Sequence, residues 1–288
     1  MTNPVFIKDI IINTMWGDTS LEWRGLDPHV NIVVGQNGFG KTTMLNLIRS
    51  VLTKDEKFIK MLKAKIEITT VTKDANTGEE LSTGTMYFDG KQVIHNPAFG
   101  GYDSHACFYY VNTFDVPASK KSSLSQLGLT LDQVLYQRNP EVFSFSDYRL
   151  GMLKDLRAAM YKQERIEKFF DLINSLFVST GKTIDIDDKN RVIFRKGEQI
   201  IDMDRLSAGE KQILLLLFTL FLMEDKPTVL LLDEPEISLH IEWQDRLIAL
   251  MHDLNPNCQI IMTTHSPNIF ADGWEDKLVF ISDLVQQS

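Results

Sequence analysis

The pattern of apolar and polar positions predicts a strand, a glycine loop and a helix near the start of the chain. Residues 6–12 and 31–34 are mostly apolar segments that indicate strands, and the second leads directly into a glycine-rich segment. Residues 42–52 then carry leucine, isoleucine and methionine at the spacing of one helix face. This order of elements is the context that a phosphate-binding loop requires.

The middle of the chain changes to an alternation with a period of two. Residues 64–95 follow this pattern and contain the turn Asp89-Gly90, which is typical of a hairpin. Residues 150–177 return to a broad helical stripe, and residues 184–194 indicate a second hairpin. We therefore expect an antiparallel sheet appended to the core, followed by helical and hairpin segments.

The composition is that of a globular protein without a membrane span. The chain has 288 residues, of which 43% are hydrophobic and 24% are charged. Its longest apolar runs, residues 213–223 and 229–232, are too short to cross a bilayer. Residues 1–20 lack the features of a signal peptide, and Cys107 and Cys258 are far apart without metal-type spacing. We expect a cytoplasmic protein with no membrane association and no disulfide framework.

The charge distribution leaves two interpretations open for contact with DNA. A net charge of −9 argues against coating nucleic acid by bulk electrostatics, but it does not exclude a local basic groove. Two sets of basic residues recur at short intervals, and each is either a solvated helix face or a phosphate track. The first set is Lys54, Lys57, Lys60 and Lys63, and the second is Lys154, Arg157, Lys162, Arg165 and Lys168.

The glycine-rich segment matches the pattern G-x-x-x-x-G-K-[ST] without a departure. Its backbone N–H groups and the dipole of the following helix favour phosphate oxygens. We expect Lys41, as a catalytic residue, to reach the β- and γ-phosphates of ATP, and the Thr42 hydroxyl to coordinate Mg²⁺. A chance glycine turn is the alternative, and the flanking strand and helix disfavour it. The expected nucleotide-binding residues here are Gly35, Gln36, Asn37, Gly38, Phe39, Gly40, Lys41, Thr42 and Thr43.

A later apolar strand ends in two carboxylates. Residues 229–232 precede Asp233 and Glu234. Two acids beside a triphosphate are electrostatically costly unless a metal ion is present. We predict that Asp233 holds Mg²⁺ through water, and that Glu234 is the catalytic residue that orients or deprotonates the attacking water. The alternative is a purely structural turn at Asp233-Glu234-Pro235.

A third motif lies at the start of an apolar helix. Leu206-Ser207-Ala208-Gly209-Glu210 precedes this helix, and Ser207 is suited to cap it. Taken alone, a capped helix is a sufficient explanation. Beside the other two motifs, the segment resembles the signature of ABC-type ATPases, whose commoner form L-S-G-G-Q differs at Ala208 and Glu210. In that family the signature contacts the γ-phosphate bound to the other protomer. The resemblance therefore implies a head-to-tail dimer with two shared ATPs, in which Ser207, Ala208, Gly209 and Glu210 bind nucleotide.

Two further site residues follow from the same resemblance. His265 comes after the apolar residues 259–262 and resembles the switch histidine that senses the γ-phosphate, so we count it as catalytic. Asn112 follows the apolar residues 108–111 at the topological position of the glutamine loop, although it is not a glutamine. Gln126 is a more distant alternative for that role.

The residues around the acidic strand indicate one branch of this family. Residues 233–240 read D-E-P-E-I-S-L-H, and Trp-Gln at 243–244 and Thr-Thr-His-Ser-Pro at 263–267 follow. These motifs resemble the OLD, RecF and SMC-like ATPases, and especially the stand-alone AAA ATPases of bacterial phage-defence operons. Transporter ATPases more often carry D-E-P-x-x-x-L-D, so Glu236 and His240 discriminate between the branches.

The resemblance covers residues 1–52 and 200–282 well, and it implies an α/β fold. We expect a P-loop NTPase core of the ABC type with a mixed parallel sheet, an antiparallel β subdomain and a helical insert. Residues 1–288 would form a single ATPase domain. Its parts would be 1–54 with the N-terminal strands and P-loop, 55–200 as an inserted β and helical lobe, and 201–288 with the signature, acidic strand and switch histidine.

Three functions share one expected mechanism, in which ATP closes the dimer and hydrolysis reopens it. The first is an ATP-gated sensor or scaffold in an anti-phage defence complex, which controls a separate effector such as a nuclease or toxin. Septu and PARIS systems supply the analogy, and the sequence shows neither long arms nor a second catalytic cluster. The second is a RecF- or SMC-like repair ATPase that clamps DNA directly. The third is a transporter ATPase subunit, against which the atypical signature argues.

Overall fold

The computed structural model describes residues 5–16, 19–74, 76–96, 107–111, 125–136, 143–153 and 156–286. Contacts divide the chain into two compact units. The first comprises Met1–Asn112, Asp225–Glu236 and Gln244–Ser288, and the second comprises Thr113–Glu224 and Ile237–Trp243. The glycine loop and the acidic strand belong to the first unit, and the signature belongs to the second.

The helices and strands are numbered in chain order. The strands are β1 (Val5–Met15), β2 (Thr19–Arg24), β3 (Val30–Val34), β4 (Lys65–Lys73), β5 (Glu80–Phe88), β6 (Val93–His95), β7 (Cys107–Val111), β8 (Lys182–Ile186), β9 (Val192–Lys196), β10 (Gln199–Ile201), β11 (Thr228–Asp233), β12 (Cys258–Thr263), β13 (Leu278–Phe280) and β14 (Val285–Gln286). The helices are α1 (Lys41–Leu52), α2 (Glu56–Met61), α3 (Gln126–Leu135), α4 (Phe145–Leu150), α5 (Leu156–Leu176), α6 (Ala208–Met223), α7 (Ile241–Leu254) and α8 (Ile281–Leu284).

A five-stranded parallel sheet in the first unit has the order β13-β3-β12-β11-β7. Every residue of β3, β11 and β12 is buried. Burial at every position is typical of parallel strands that are covered on both faces. The predicted parallel sheet is confirmed, and the carboxyl ends of its strands share one edge.

A six-stranded antiparallel sheet in the same unit has the order β14-β2-β1-β4-β5-β6. The alternation at residues 64–95 predicted its antiparallel hairpins, and β5 and β6 are joined through the turn at Asp89. Because β4 pairs with β1 along most of its length, this sheet continues the N-terminal strands. Residues 65–95 therefore fall in the first compact unit, although they lie within the segment 55–200 that was expected as an insert.

Helix α1 forms the centre of the apolar core of the first unit. Its residues Met44, Leu45, Leu47, Ile48 and Val51 are fully buried. They pack in one cluster with apolar side chains from β1, β4, β11 and β12. This packing fixes the start of α1, and with it the glycine loop, against the parallel sheet.

The second unit is built around α6, which is buried along almost its whole length. A helix that is apolar on all sides is typical of a protein interior. The ring of Phe169 on α5 stacks on Phe221 at 4.3 Å and meets Phe218 edge-on at 4.9 Å between ring centroids. The hairpin predicted at 184–194 is present as β8–β9, and β10 extends it to three strands.

The long helical stripe begins later than the sequence predicted. Residues 151–153 form a separate 3₁₀ turn before α5. Leu153 in that turn and Met160 near the start of α5 are 81% and 79% exposed, so neither contributes to the core. None of the helices within the described ranges is both long enough and apolar enough to cross a membrane.

Candidate nucleotide-binding site

The loop between β3 and α1 has a backbone that suits glycine. Gly38 and Gly40 have φ angles of 86° and 90°, in the left-handed region that side chains disfavour. A Cβ on Gly40 would lie 2.8 Å from Cη2 of Trp16, so a side chain there would also have to displace the indole ring. No side chain caps the first N–H groups of α1. Such a helix start, preceded by a glycine turn, is suited to bind phosphate.

The side chain of Lys41 lies against this loop. Its ammonium donates to the carbonyl oxygens of Gly35 at 2.8 Å and Gln36 at 3.1 Å. Burial lowers the pKa of Lys41 below its ordinary value, while the charges of Glu234, Asp233 and, more weakly, Glu236 act in the opposite direction. The buried ammonium of Lys41 therefore interacts electrostatically with the carboxylates at the end of the acidic strand.

Asp233 lies at the carboxyl end of β11, directly opposite Thr263 of β12. The Thr263 hydroxyl donates to Asp233 Oδ1 at 2.6 Å, and Asp233 is only 4% exposed. This bond orients the carboxylate. Thr42, the second residue of α1, is exposed. A hydroxyl and an oriented carboxylate fit Mg²⁺, which usually takes one or two protein oxygens beside substrate phosphates.

Glu234 has a backbone conformation that is rare for a residue with a side chain. Its φ angle is 48°, and its N–H donates to the Thr263 carbonyl at 3.0 Å and hydroxyl at 3.2 Å. Left-handed non-glycine residues cost about 1–3 kcal/mol and cluster at functional sites. The Glu234 carboxylate Oε1 lies 3.2 Å from His265 Nε2. A carboxylate and an imidazole therefore meet beside the glycine loop.

The turn after β12 is held by two residues, Glu236 and Gln244, whose contacts the sequence did not predict. Glu236 Oε1 accepts from the backbone N–H of His265 at 2.7 Å. The Ser266 hydroxyl donates to Gln244 Oε1 at 2.7 Å. The sequence contained a signal for Glu236, because its position marks the branch of the family, but no pattern indicated what its carboxylate contacts.

A pocket of about 410 Å³ lies beside the loop. It is lined by Gly35, Gln36, Phe39, His265 and the segment 280–282. No motif in the sequence indicated this segment, which comprises the last residue of β13 and the start of α8. The segment also restricts the loop, because a Cβ on Gly35 would lie 2.4 Å from Ile281 Cγ2.

The signature residues begin α6 in the second unit. Ser207 caps the helix by accepting from the Glu210 N–H at 3.2 Å, and Glu210 Oε2 accepts from the Ser207 N–H at 2.7 Å. Lys182 donates to the same Glu210 oxygen at 2.7 Å, and the Glu210 side chain is 1% exposed. Burial alone would raise the pKa of Glu210, but the hydrogen bonds from Lys182 and Ser207 outweigh it and lower the pKa. At this position the common signature has a neutral glutamine. This chain has Glu210 instead, and Lys182 compensates its charge.

Gly209 is required by a close backbone contact within the same unit. A Cβ at Gly209 would lie 2.1 Å from the carbonyl oxygen of Ser238. Ser238 itself has a φ angle of 71°. The neighbouring departure from the common signature, Ala208, is partly exposed and meets no such constraint.

Four of the predicted site residues converge in the first unit, namely Lys41, Asp233, Glu234 and His265. The signature residues lie in the second unit. Asn112 lies outside the described residues, so its predicted role in the glutamine loop stays a prediction. Gln126, the alternative, is exposed at the start of α3.

Comparison with known proteins identifies relatives over most of the chain. The family model described as AAA domain, putative AbiEii toxin, Type IV TA system matches residues 30–272. The Septu protein PtuA of Bacillus thuringiensis is 22% identical over 95% of this chain and 75% of its own length. The retron Vc95 probable ATPase of Vibrio cholerae serotype O1 biovar El Tor is 24% identical over 58% of this chain. The match spans only 32% of the retron protein.

The fold resembles that of a solved SMC head. In the crystal structure of the SmcHead bound to the C-winged helix domain of ScpA, the match covers 93% of this chain and 91% of that chain, with a TM-score of 0.60. The sequence identity is 15%. The expected P-loop fold of the ABC and SMC type is thus confirmed, together with the relationship to defence ATPases.

Proposed function

This chain belongs to the AAA domain family described above, and we propose that it hydrolyses ATP at the site formed by the glycine loop and the acidic strand. The contact between Glu234 and His265, at 3.2 Å beside Lys41, is the observation that carries this proposal. Phosphate binding alone would require neither a strained glutamate nor an imidazole next to it. Hydrolysis uses both.

Each side chain has a role that its position supports. Lys41 holds the β- and γ-phosphates, and the loop N–H groups bind their oxygens. Thr42 and Asp233 would hold Mg²⁺, which neutralises charge that develops on the phosphates during transfer. Glu234 orients or deprotonates the attacking water. His265 contacts Glu234 and senses the γ-phosphate. It thereby couples the γ-phosphate to the glutamate that activates water.

The same proposal includes a head-to-tail homodimer around two shared ATPs. Ser207, Ala208, Gly209 and Glu210 of one protomer would meet the γ-phosphate held by the other. Support comes from the rigidity of this helix start, because the capping box and the Lys182 ion pair fix it.

In the cell, we infer, the dimer is a sensor or scaffold of an anti-phage defence complex that controls a separate nuclease or toxin. The similarity to Septu PtuA and a retron ATPase supports this role. Direct DNA clamping draws little support from Lys54–Lys63. Lys54 lies before α2 and Lys63 after it, each at a residue with a left-handed φ angle, so these lysines do not form one continuous helix face. Lys60, which is on the helix, is already paired with Glu56 at 2.9 Å.

Phosphate release by the purified chain tests the proposed activity. We expect turnover that requires Mg²⁺ and is abolished together with nucleotide binding in Lys41→Ala, because the loop then lacks its cation. Wild-type protein that binds ATP with Mg²⁺ but releases no phosphate would contradict hydrolysis. Equal turnover by wild type and Lys41→Ala would contradict the site.

A further inference from the structure

The carboxylate of Glu236 holds the turn that carries His265. Its Oε1 accepts from the backbone N–H of His265 at 2.7 Å and of Ser266 at 3.3 Å. One side-chain oxygen thus accepts from two successive backbone N–H groups. The backbone on either side of the His265 Cα is therefore restrained from one point.

Gln244 stabilises the same turn through hydrogen bonds to both Glu236 and Ser266. Its Nε2 donates to the Glu236 carbonyl at 3.4 Å, and its Oε1 accepts from the Ser266 hydroxyl at 2.7 Å. The Ser266 N–H donates as well to the Thr264 hydroxyl at 3.0 Å. The segment after β11 and the turn after β12 are thus joined by side chains at two points.

The two partners of the Glu234–His265 contact are each fixed through their backbones. Glu234 is held by Thr263, and His265 is held by Glu236. The two restraints thus lie on either side of the 3.2 Å contact between Glu234 Oε1 and His265 Nε2. A displacement of one backbone by about 1 Å is enough to impair a catalytic arrangement severely.

The remaining oxygen of Glu236 argues against a purely stabilising role. Oε2 is buried and has no hydrogen-bond donor among the described residues. A buried polar atom without a partner lowers stability, and such atoms in native proteins call for another explanation. A restraint on a catalytic turn is such an explanation.

We propose that Glu236 is a positioning residue, which sets His265 against Glu234 through the two backbone hydrogen bonds, with Gln244 as its support. This inference rests on the proposed ATP hydrolysis. The charge of Glu236 also acts on Lys41, and the two effects separate in Glu236→Gln, which keeps an oxygen acceptor and removes the charge.

Steady-state turnover and nucleotide affinity of five variants test the proposal. We expect Glu236→Ala to lower kcat by about 10–100-fold, with the Kd for a fluorescent ATP analogue unchanged within about threefold. Glu236→Gln is expected to recover most of the rate. The double variant Glu236→Ala/His265→Ala is expected to be no slower than His265→Ala, because effects that act through one group are not additive. Glu242→Ala removes a carboxylate that is 69% exposed and serves as the control with wild-type turnover.

The outcomes distinguish this inference from the function on which it rests. Wild-type turnover by His265→Ala would overturn the role of the histidine itself. An impaired His265→Ala together with a wild-type Glu236→Ala, or with additive effects in the double variant, would overturn positioning alone. Equal loss in Glu236→Gln and Glu236→Ala would also overturn it, since charge would then matter rather than the acceptor. Should Glu236→Ala not fold, Gln244→Ala carries the same test through the Ser266 bond.

Discussion

Nε2 of His265 lies 3.2 Å from Oε1 of Glu234, and each residue follows a different strand of the parallel sheet. Because β11 and β12 are paired in register, their carboxyl ends bring the two side chains to one edge. The same edge receives the glycine loop from β3. The proposed catalysis depends on this geometry, and several measurements probe it.

Substitution of Glu234 should separate ATP binding from hydrolysis. Glu234→Gln keeps the shape of the side chain but removes its basicity, so we expect kcat to fall by about 10²–10⁴-fold while nucleotide affinity persists. The ATP-bound dimer should accumulate, which size-exclusion chromatography with light scattering would detect. Hydrolysis by Glu234→Gln at the normal rate would refute the assignment of Glu234 as the residue that activates water.

Gly209 should not tolerate even one additional carbon atom. Gly209→Ala places Cβ 2.1 Å from the Ser238 carbonyl oxygen, so the backbone must shift. We expect a loss of about 1–3 kcal/mol in the free energy of unfolding and a marked loss of turnover. Denaturant titration and phosphate release measure the two effects. Gly151→Ala is the matched control, because its Cβ would meet only the end of the Lys162 side chain at 3.3 Å.

The buried Glu210–Lys182 pair should make stability depend on pH. The pKa of Glu210 lies below its ordinary value of 4.5. Ionised Glu210 therefore stabilises the fold above that value, and this contribution is lost as the pH falls through the lowered pKa. Unfolding free energies of wild type and Glu210→Gln, compared between about pH 7 and about pH 3, should differ less as the pH falls. A difference that does not change with pH would contradict the ion pair.

The proposed effector should be recoverable with the trapped dimer. Glu234→Gln, pulled down from its native cells in ATP, is expected to retain a nuclease-like or toxin-like protein, because the closed state persists. Mass spectrometry and nucleic-acid sequencing identify the bound material, and Lys41→Ala is the control that cannot close. DNA recovered without such a protein would favour a clamp that acts on DNA directly.

The site residues that belong to short contiguous motifs could be predicted from the sequence. The glycine loop, Asp233-Glu234 and Ser207 with Glu210 could all be placed on their elements, since periodicity and capping are local properties. The contact of Gly209 with Ser238 could not be predicted, because it depends on how a distant turn packs. The same holds for Lys182, whose pairing with Glu210 joins residues 28 positions apart in the chain. Glu236 was recognisable as a family marker, but its two N–H partners lie on a turn about 30 residues away and could not be predicted from local sequence.

The proposed ATP site is completed by the signature of a second protomer, and complementation between two inactive variants tests this sharing most directly. Lys41→Ala lacks the loop cation, and Ser207→Arg blocks the signature while sparing nucleotide binding. Mixed in equal amounts, they form dimers with one intact composite site, and about a quarter of the wild-type turnover should return. Each variant mixed with itself should stay inactive. Absence of any rescue, with heterodimers shown to form, would contradict a site shared between protomers.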